Sequence, residues 1–201
     1  MLSQDLSITT AVRLPSHAIY CKVLGERKTY VSCHIRVPDM DNRLPAIALD
    51  GRFYSFLKAL KDADRALSAI NRLGKGEDEV VLTLSKCGYA LWVPEPQARF
   101  SPPKGDPRFS LKPAFGPTPC LFLSDARALA PCQIQVADLS KSVAGIQVAN
   151  DLYSVFRVEP NAQTSIQIVG KLASRGDKTL LGRAKDGQYL IGVLEPTGIL
   201  V

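Results

Sequence analysis

The residue types best suited to binding chemistry are concentrated between residues 97 and 118. This segment has a net charge of +3, half of the net charge of +6 carried by all 201 residues, and it holds five of the 14 prolines. Basic side chains neutralise phosphates, and aromatic rings give bases a stacking surface. The candidate binding residues are the basic and aromatic side chains of this segment together with the lone tryptophan: Arg99, Phe100, Lys104, Arg108, Phe109, Lys112 and Trp92.

Two interpretations of the segment stay open. It is either a binding segment, for nucleic acid or for an acidic protein surface, or a strap between two domains. In the second case its phenylalanines pack on the domains while its charges face water. Trp92 is likewise either a core residue or an anchor for a partner.

Cysteine and histidine residues provide a weaker candidate for metal chemistry. Four possible zinc ligands lie near the start of the chain: His17, Cys21, Cys33 and His34. Their spacing lacks the Cys-x2-Cys pattern of a zinc knuckle, and the matching pair Cys120 and Cys132 has no histidine beside it. We therefore expect these cysteines to be small buried hydrophobic residues, with neither local disulfides nor a metal, and we expect no cofactor. Cys87 is expected to be an exposed thiol in a turn.

Catalytic chemistry has little support in the sequence. Cys33 and His34 are adjacent, so on a strand their side chains point to opposite faces and cannot form a dyad. Four carboxylates recur at matching positions: Asp39 with Asp138, and Glu95 with Glu195. Such pairs could perform acid–base chemistry or hold a cation, but they could equally begin turns and end strands. We expect the protein not to be an enzyme.

The positions of these residues are set by an internal repeat. Residues 21–96 align with residues 120–196, and both segments contain Cys-x11-Cys, a Tyr-Ser pair and a closing Glu-Pro. Substitutions between the two copies keep apolar positions apolar, which a chance alignment does not preserve. The sequence therefore predicts a tandem duplication with one unit at 1–96, a basic, proline-rich linker at 97–118 and a second unit at 119–201.

Each unit is predicted to contain a strand, a hairpin, a helix and a second hairpin. In the first copy the strand covers 30–37, the hairpin turns at Asp50-Gly51, the helix covers 63–73 and the last hairpin covers 80–93. The fold class is therefore α+β, with a mainly antiparallel sheet and one helix in each unit. Because each unit is small for a stable core, we expect the two to pack together as a pseudo-dimer.

Composition and the absence of a recognisable export signal or long apolar run favour a cytoplasmic globular protein without membrane spans. Duplication without catalytic residues favours a non-enzymatic adaptor that presents two similar surfaces to a protein partner. The alternative is a nucleic-acid-binding protein that uses the linker and nearby basic residues. Those residues are Arg27, Lys28, Arg36 and Arg43.

Overall fold

The computed structural model describes residues 18–73, 79–103 and 110–201. The N-terminal half, residues 18–103, contains seven strands and one helix: β1 Ala18–Leu24, β2 Val31–Arg36, β3 Leu44–Leu49, β4 Arg52–Leu60, α1 Ala63–Leu73, β5 Val80–Ser85, β6 Gly88–Pro94 and β7 Arg99–Phe100. The C-terminal half, residues 110–201, contains the same sequence of elements: β8 Cys120–Leu123, β9 Ala130–Gln135, β10 Val143–Val148, β11 Asp151–Glu159, α2 Ala162–Ser174, β12 Thr179–Arg183, β13 Tyr189–Leu194 and β14 Ile199–Leu200.

These strands form one mixed sheet of 14 strands, which together with two helices is compatible with the α+β class. From the centre outward, the N-terminal half has the order β1-β5-β6-β4-β3-β2-β7, and the C-terminal half has the order β8-β12-β13-β11-β10-β9-β14. The two orders correspond element by element. The β1–β5 and β8–β12 pairs are parallel, while β1 and β8 are antiparallel and join the halves edge to edge.

The β3–β4 hairpin and its counterpart β10–β11 form where the sequence predicts turns. Asp50 and Gly51 have φ of 50° and 73°, and Ala149 has φ of 55°. Two-residue hairpin loops favour left-handed backbone because its twist matches that of the flanking strands. The second strand of each hairpin then carries a β-bulge. In β4 the extra residue is Leu57, and in β11 it is Phe156, and at each bulge the register to the neighbouring strand shifts by one residue.

Both helices begin at capping residues and bury one apolar face. The Asp62 carboxylate accepts a hydrogen bond from the Arg65 amide at 2.8 Å, and the Asn161 side chain accepts one from the Thr164 amide at 2.9 Å. Each bond satisfies an amide that has no partner within the first turn. Gly74 and Gly76 follow α1 in the sequence, where glycine favours the end of a helix, and they lie outside the described residues.

The main core lies between the helices and the centre of the sheet. It is formed by buried residues of both helices and of the central strands, including Ile70, Ile166, Leu82 and Phe122. Cys21 of β1 and Cys120 of β8 are direct cross-strand partners in this core, and both side chains are fully buried. The two halves therefore share one core.

The other face of the sheet curls over at each end. Leu24 and Val81 of the central strands cluster with Ile47 and Tyr54 of β3 and β4, although β6 lies between β5 and β4. A corresponding cluster in the C-terminal half joins Leu180 of β12 to residues of β10 and β11. This packing holds the outer strands β3, β4, β10 and β11 over the inner ones.

Candidate nucleic-acid interface

The beginning of the linker is an edge strand. Arg99 pairs with Arg36 and Phe100 pairs with Ile35 in the β2–β7 ladder. The amide of Ser101 continues the pairing by donating to the carbonyl of His34 at 2.9 Å. The linker therefore leaves the N-terminal half from a fixed position, and two of the predicted binding residues, Arg99 and Phe100, lie on this strand.

Three arginines meet at this edge, and we name Arg36, Arg43 and Arg99 the arginine row. Arg36 and Arg99 lie directly opposite each other on neighbouring strands. Arg43 directly precedes β3, and its Nη2 donates to the carbonyl of Ser101 at 2.8 Å, so its side chain reaches across β2 toward β7. The Arg36 and Arg99 side chains line a surface groove of about 590 Å³ together with Val37, Pro38 and Gln97.

The arginine row concentrates positive charge. Among the described residues none of the three guanidinium groups forms an ion pair, although Asp39 and Asp41 belong to the adjoining β2–β3 turn. Like charges placed directly opposite on neighbouring strands repel each other. An anion held between Arg36 and Arg99 removes this repulsion and matches the planar donor geometry of guanidinium groups.

The equivalent edge of the C-terminal half is uncharged. Matching positions are occupied by Gln135, Ser142 and Ile199. Gln135 uses its side-chain amide locally, donating to the carbonyl of Leu139 at 2.6 Å. The arginine row is therefore a property of the N-terminal half alone and is not required by the fold.

The end of the linker is attached to the N-terminal half as well. The Asp50 amide donates to the carbonyl of Ala114 at 2.9 Å, and the Asp50 carboxylate accepts from the amide of Gly116 at 3.0 Å. The last residue of the linker is attached to the C-terminal half instead, because Thr118 Oγ1 donates to the carbonyl of Asp177 at 2.6 Å. Lys112 is exposed beside this attached part, whereas three predicted binding residues lie outside the described residues: Lys104, Arg108 and Phe109.

Trp92 is a half-buried residue of β6. Its Nε1 donates to Thr83 Oγ1 at 3.0 Å, and its ring meets the exposed Phe56 ring edge-on at a centroid separation of 5.4 Å. It also packs against the core cluster beneath β3 and β4. Trp92 therefore lies on β6, separate from Phe100 on β7, and is not part of the arginine row.

The five cysteines are free thiols. Cys21 and Cys120 are buried as predicted, whereas Cys33 and Cys132 are only partly buried because they lie on strands nearer the sheet edges. Burial raises the pKa of Cys33 to about 11 and that of Cys120 to about 12, and it raises the pKa of Cys21 well above its usual range. Thiols with raised pKa values are poor nucleophiles near neutral pH. Cys87 is exposed in the β5–β6 turn, while His17 lies outside the described residues. Within the described ranges no group of three or more His, Cys, Asp or Glu side chains could hold a metal ion.

The recurring carboxylates do not meet. Glu95 and Glu195 follow β6 and β13, which are separated by four strands. Each instead accepts a hydrogen bond from a serine of its own half, from Ser55 at 2.7 Å and from Ser154 at 2.6 Å. These two bonds tie the end of one strand to its neighbour.

Two further grooves lie beside the helices. A cavity of about 740 Å³ next to the start of both helices is lined by Lys61, Lys86, Asp62 and Asp64, among others. A groove of about 590 Å³ between β4 and α1 is lined by basic and apolar residues, and no carboxylate among the described residues lines it. Sequence reasoning missed this second groove, because its residues come from a bulged strand and a helix whose relative placement no local pattern reveals.

No protein-family model, curated protein or solved structure matches this chain. No helix within the described residues is long and apolar enough to cross a bilayer.

Proposed function

We propose that the protein is a non-enzymatic nucleic-acid-binding protein whose arginine row contacts the phosphate backbone. The supporting observation is the position of Arg36 and Arg99 on adjacent strands, with Arg43 directly before the next strand. These arginines lie at an open groove lined by Arg36 and Arg99 and have no ion-pair partner among the described residues. Backbone contacts of this kind supply affinity without reading sequence. The net charge of +6 supports the same ligand class.

We further propose that the chain arose by tandem duplication and that its halves form a pseudo-dimer. The corresponding strand order of the halves, the matched bulges at Leu57 and Phe156 and the matched Ser–Glu bonds support this origin. After duplication, one copy could acquire the arginine row while the other kept neutral residues. A cytoplasmic location is part of the proposal and is supported by the five free thiols.

A second candidate function is the adaptor that presents two similar surfaces to a protein partner. It is favoured by large apolar residues that are exposed at matched positions of the two halves. These pairs are Met40 with Leu139 and Leu57 with Phe156. Exposed apolar side chains that recur in this way are typical of interaction surfaces.

Binding of fluorescein-labelled single-stranded and duplex DNA, followed by anisotropy between about 50 and 200 mM salt, tests the nucleic-acid proposal. The double variant Arg36→Gln/Arg99→Gln removes two exposed charges from the arginine row. We expect the slope of log affinity against log salt to decrease in magnitude by about 1.5 because two phosphate contacts are lost.

The matched control is Lys141→Gln/Lys185→Gln, which removes the same charge from exposed turns of the C-terminal half. We expect its slope to stay close to that of the wild type. Equal weakening in both variants would show that binding follows net charge alone, and no binding of the wild type at the lowest salt concentration would refute the proposal.

A further inference from the structure

A groove between β4 and α1 has the shape and charge of a docking site for a peptide. We name it the β4–α1 groove, and its lining residues are Leu57, Lys58, Leu60, Arg65, Ser68, Ala69, Arg72 and Leu73. It is distinct from the arginine row, because β3 and β2 lie between β4 and the β7 edge. Its volume of about 590 Å³ suits a few side chains of a bound segment.

The β-bulge of β4 creates the apolar part of this groove. Leu57 is the extra residue of the bulge, so it has no cross-strand partner, and its side chain is 44% exposed. Beyond the bulge, Lys58 pairs with Leu91, whose side chain lies in the core beneath the helices. The bulge therefore turns Lys58 and Leu60 toward the helix side, where they face α1.

The charged groups that the described residues contribute to the groove are all positive. Lys58, Arg65 and Arg72 line it, and no carboxylate of residues 18–73, 79–103 or 110–201 does. Arg65 forms an exposed ion pair with Asp62 at 3.2 Å, outside the lining, which leaves Lys58 and Arg72 without an ion-pair partner among the described residues. A ligand of this groove must therefore supply negative charge to the basic side chains at its rim and apolar groups to the leucines at its floor.

We propose that the β4–α1 groove binds an acidic amphipathic peptide segment of a protein partner. This deepens the adaptor candidate above and does not depend on nucleic-acid binding. The charge of the groove calls for carboxylates, and its aliphatic floor of Leu57, Leu60 and Leu73 calls for Leu, Ile or Phe side chains. Nucleic acid fits less well because no aromatic ring lines the groove for base stacking.

The C-terminal half differs from the β4–α1 groove at two matching positions. The position that matches Leu60 is Glu159, whose carboxylate pairs with Arg157 at 3.0 Å. The position that matches Arg65 is Thr164. A carboxylate at the floor and the loss of a cation at the rim both oppose an acidic ligand, so the proposal is one peptide site in each chain.

Selection from a phage library of random peptides of about 12 residues, performed on the intact protein, tests the proposal. We expect enriched sequences to combine Asp or Glu with Leu, Ile or Phe. The best peptide, labelled with fluorescein, then gives affinities for the wild type and for two variants at exposed positions, Leu57→Ser and Arg72→Gln. Each variant is expected to weaken binding about ten-fold, as the loss of an anchor residue does.

The control variants Phe156→Ser and Lys171→Gln introduce the same new residues at the matching positions of the C-terminal half. They should leave the affinity within about two-fold of the wild type. Failure to enrich any peptide, enrichment of neutral or basic peptides, or equal losses in the control variants would overturn the proposal. DNA binding that is lost in Leu57→Ser but kept in the arginine-row variant would show instead that this groove is a nucleic-acid site, and the two sites are thereby tested separately.

Discussion

Lys22 shows how single residues give the two halves different interiors. Its ammonium pairs with Asp50 and lies 3.9 Å from a Glu79 oxygen, to which the Tyr54 hydroxyl donates at 3.0 Å. Burial and the nearby Glu79 carboxylate raise the pKa of Tyr54. In the C-terminal half the strand registers place Leu121, Ala149 and Lys178 at the positions of Lys22, Asp50 and Glu79.

Replacement of Lys22 alone is expected to destabilise the protein. Lys22→Leu leaves two carboxylates close together with no cation, and we expect a loss of about 2 kcal/mol in the free energy of unfolding because the groups are only partly buried. The triple change Lys22→Leu/Asp50→Ala/Glu79→Lys copies the C-terminal half and should recover at least half of that loss. Urea unfolding of the wild type and both variants measures these differences. A triple variant less stable than the single one would contradict this account.

Two glycines at corresponding hairpin turns are expected to differ in their tolerance of alanine. Gly88 has φ of 124°, and a β-carbon there would lie 2.4 Å from the carbonyl oxygen of Leu60. Gly187 has φ of 86° with no atom within 4 Å of such a carbon. We expect Gly187→Ala to cost about 1 kcal/mol from backbone strain and Gly88→Ala at least twice that, because its backbone must also move. Thermal unfolding of the two variants measures this difference. Equal losses of stability would show that the turn at Gly88 moves to accept a β-carbon at no cost in free energy.

At the scale of elements, the central strands β1 and β8 control the response to alkaline pH. Burial raises the pKa of Cys120 to about 12, and it raises that of Cys21 as well. The folded protein therefore keeps these protons at pH values where the unfolded chain releases them. Stability is fully present below about pH 8.5 and decreases as the pH rises toward 12.

Urea unfolding at pH 8 and pH 10 measures this dependence. We expect Cys120 to contribute a loss of about 2 kcal/mol between these values. In Cys120→Ala that contribution disappears, so the stability of the variant should depend less on pH. The buried Tyr153, whose pKa burial also raises, still contributes in both proteins at the upper end. An unchanged pH dependence in the variant would contradict the role of this thiol.

Most elements could be predicted from the sequence because the two aligned segments constrained each other. The apolar residues between 53 and 60 fit a helical face as well as a strand, but the matching segment ends in Glu159-Pro160, and proline is unfavourable inside a helix. Both segments are strands, as the predicted hairpin requires. The strand β1 had no separate prediction because its partners β5 and β8 are distant in sequence. The arginine row was foreseen only as separate residues, since the pairing of β7 with β2 depends on contacts that sequence patterns do not contain.

At the scale of the whole molecule, the sheet that continues from β1 to β8 makes the two halves one cooperative unit. The lone tryptophan, Trp92, lies in the N-terminal half, whereas the far-ultraviolet circular dichroism signal reports on both halves. We expect urea unfolding curves from tryptophan fluorescence and from circular dichroism to coincide, because unfolding either half exposes the shared core. Two separated midpoints would show that the halves unfold independently.

The two outer edges of the sheet give the molecule unequal colloidal properties. The β7 edge carries Arg36 and Arg99 and is followed by Pro102 and Pro103, which cannot extend a ladder of hydrogen bonds. The β14 edge has no such protection, since Ile199 is 67% exposed and Leu200 is 48% exposed. In concentrated solution, and above all at high salt where charge repulsion is screened, attraction between molecules will begin at the β14 edge. The second virial coefficient should therefore become negative as salt is added. In the variant Ile199→Lys it should stay positive, because the added charge keeps the molecules apart.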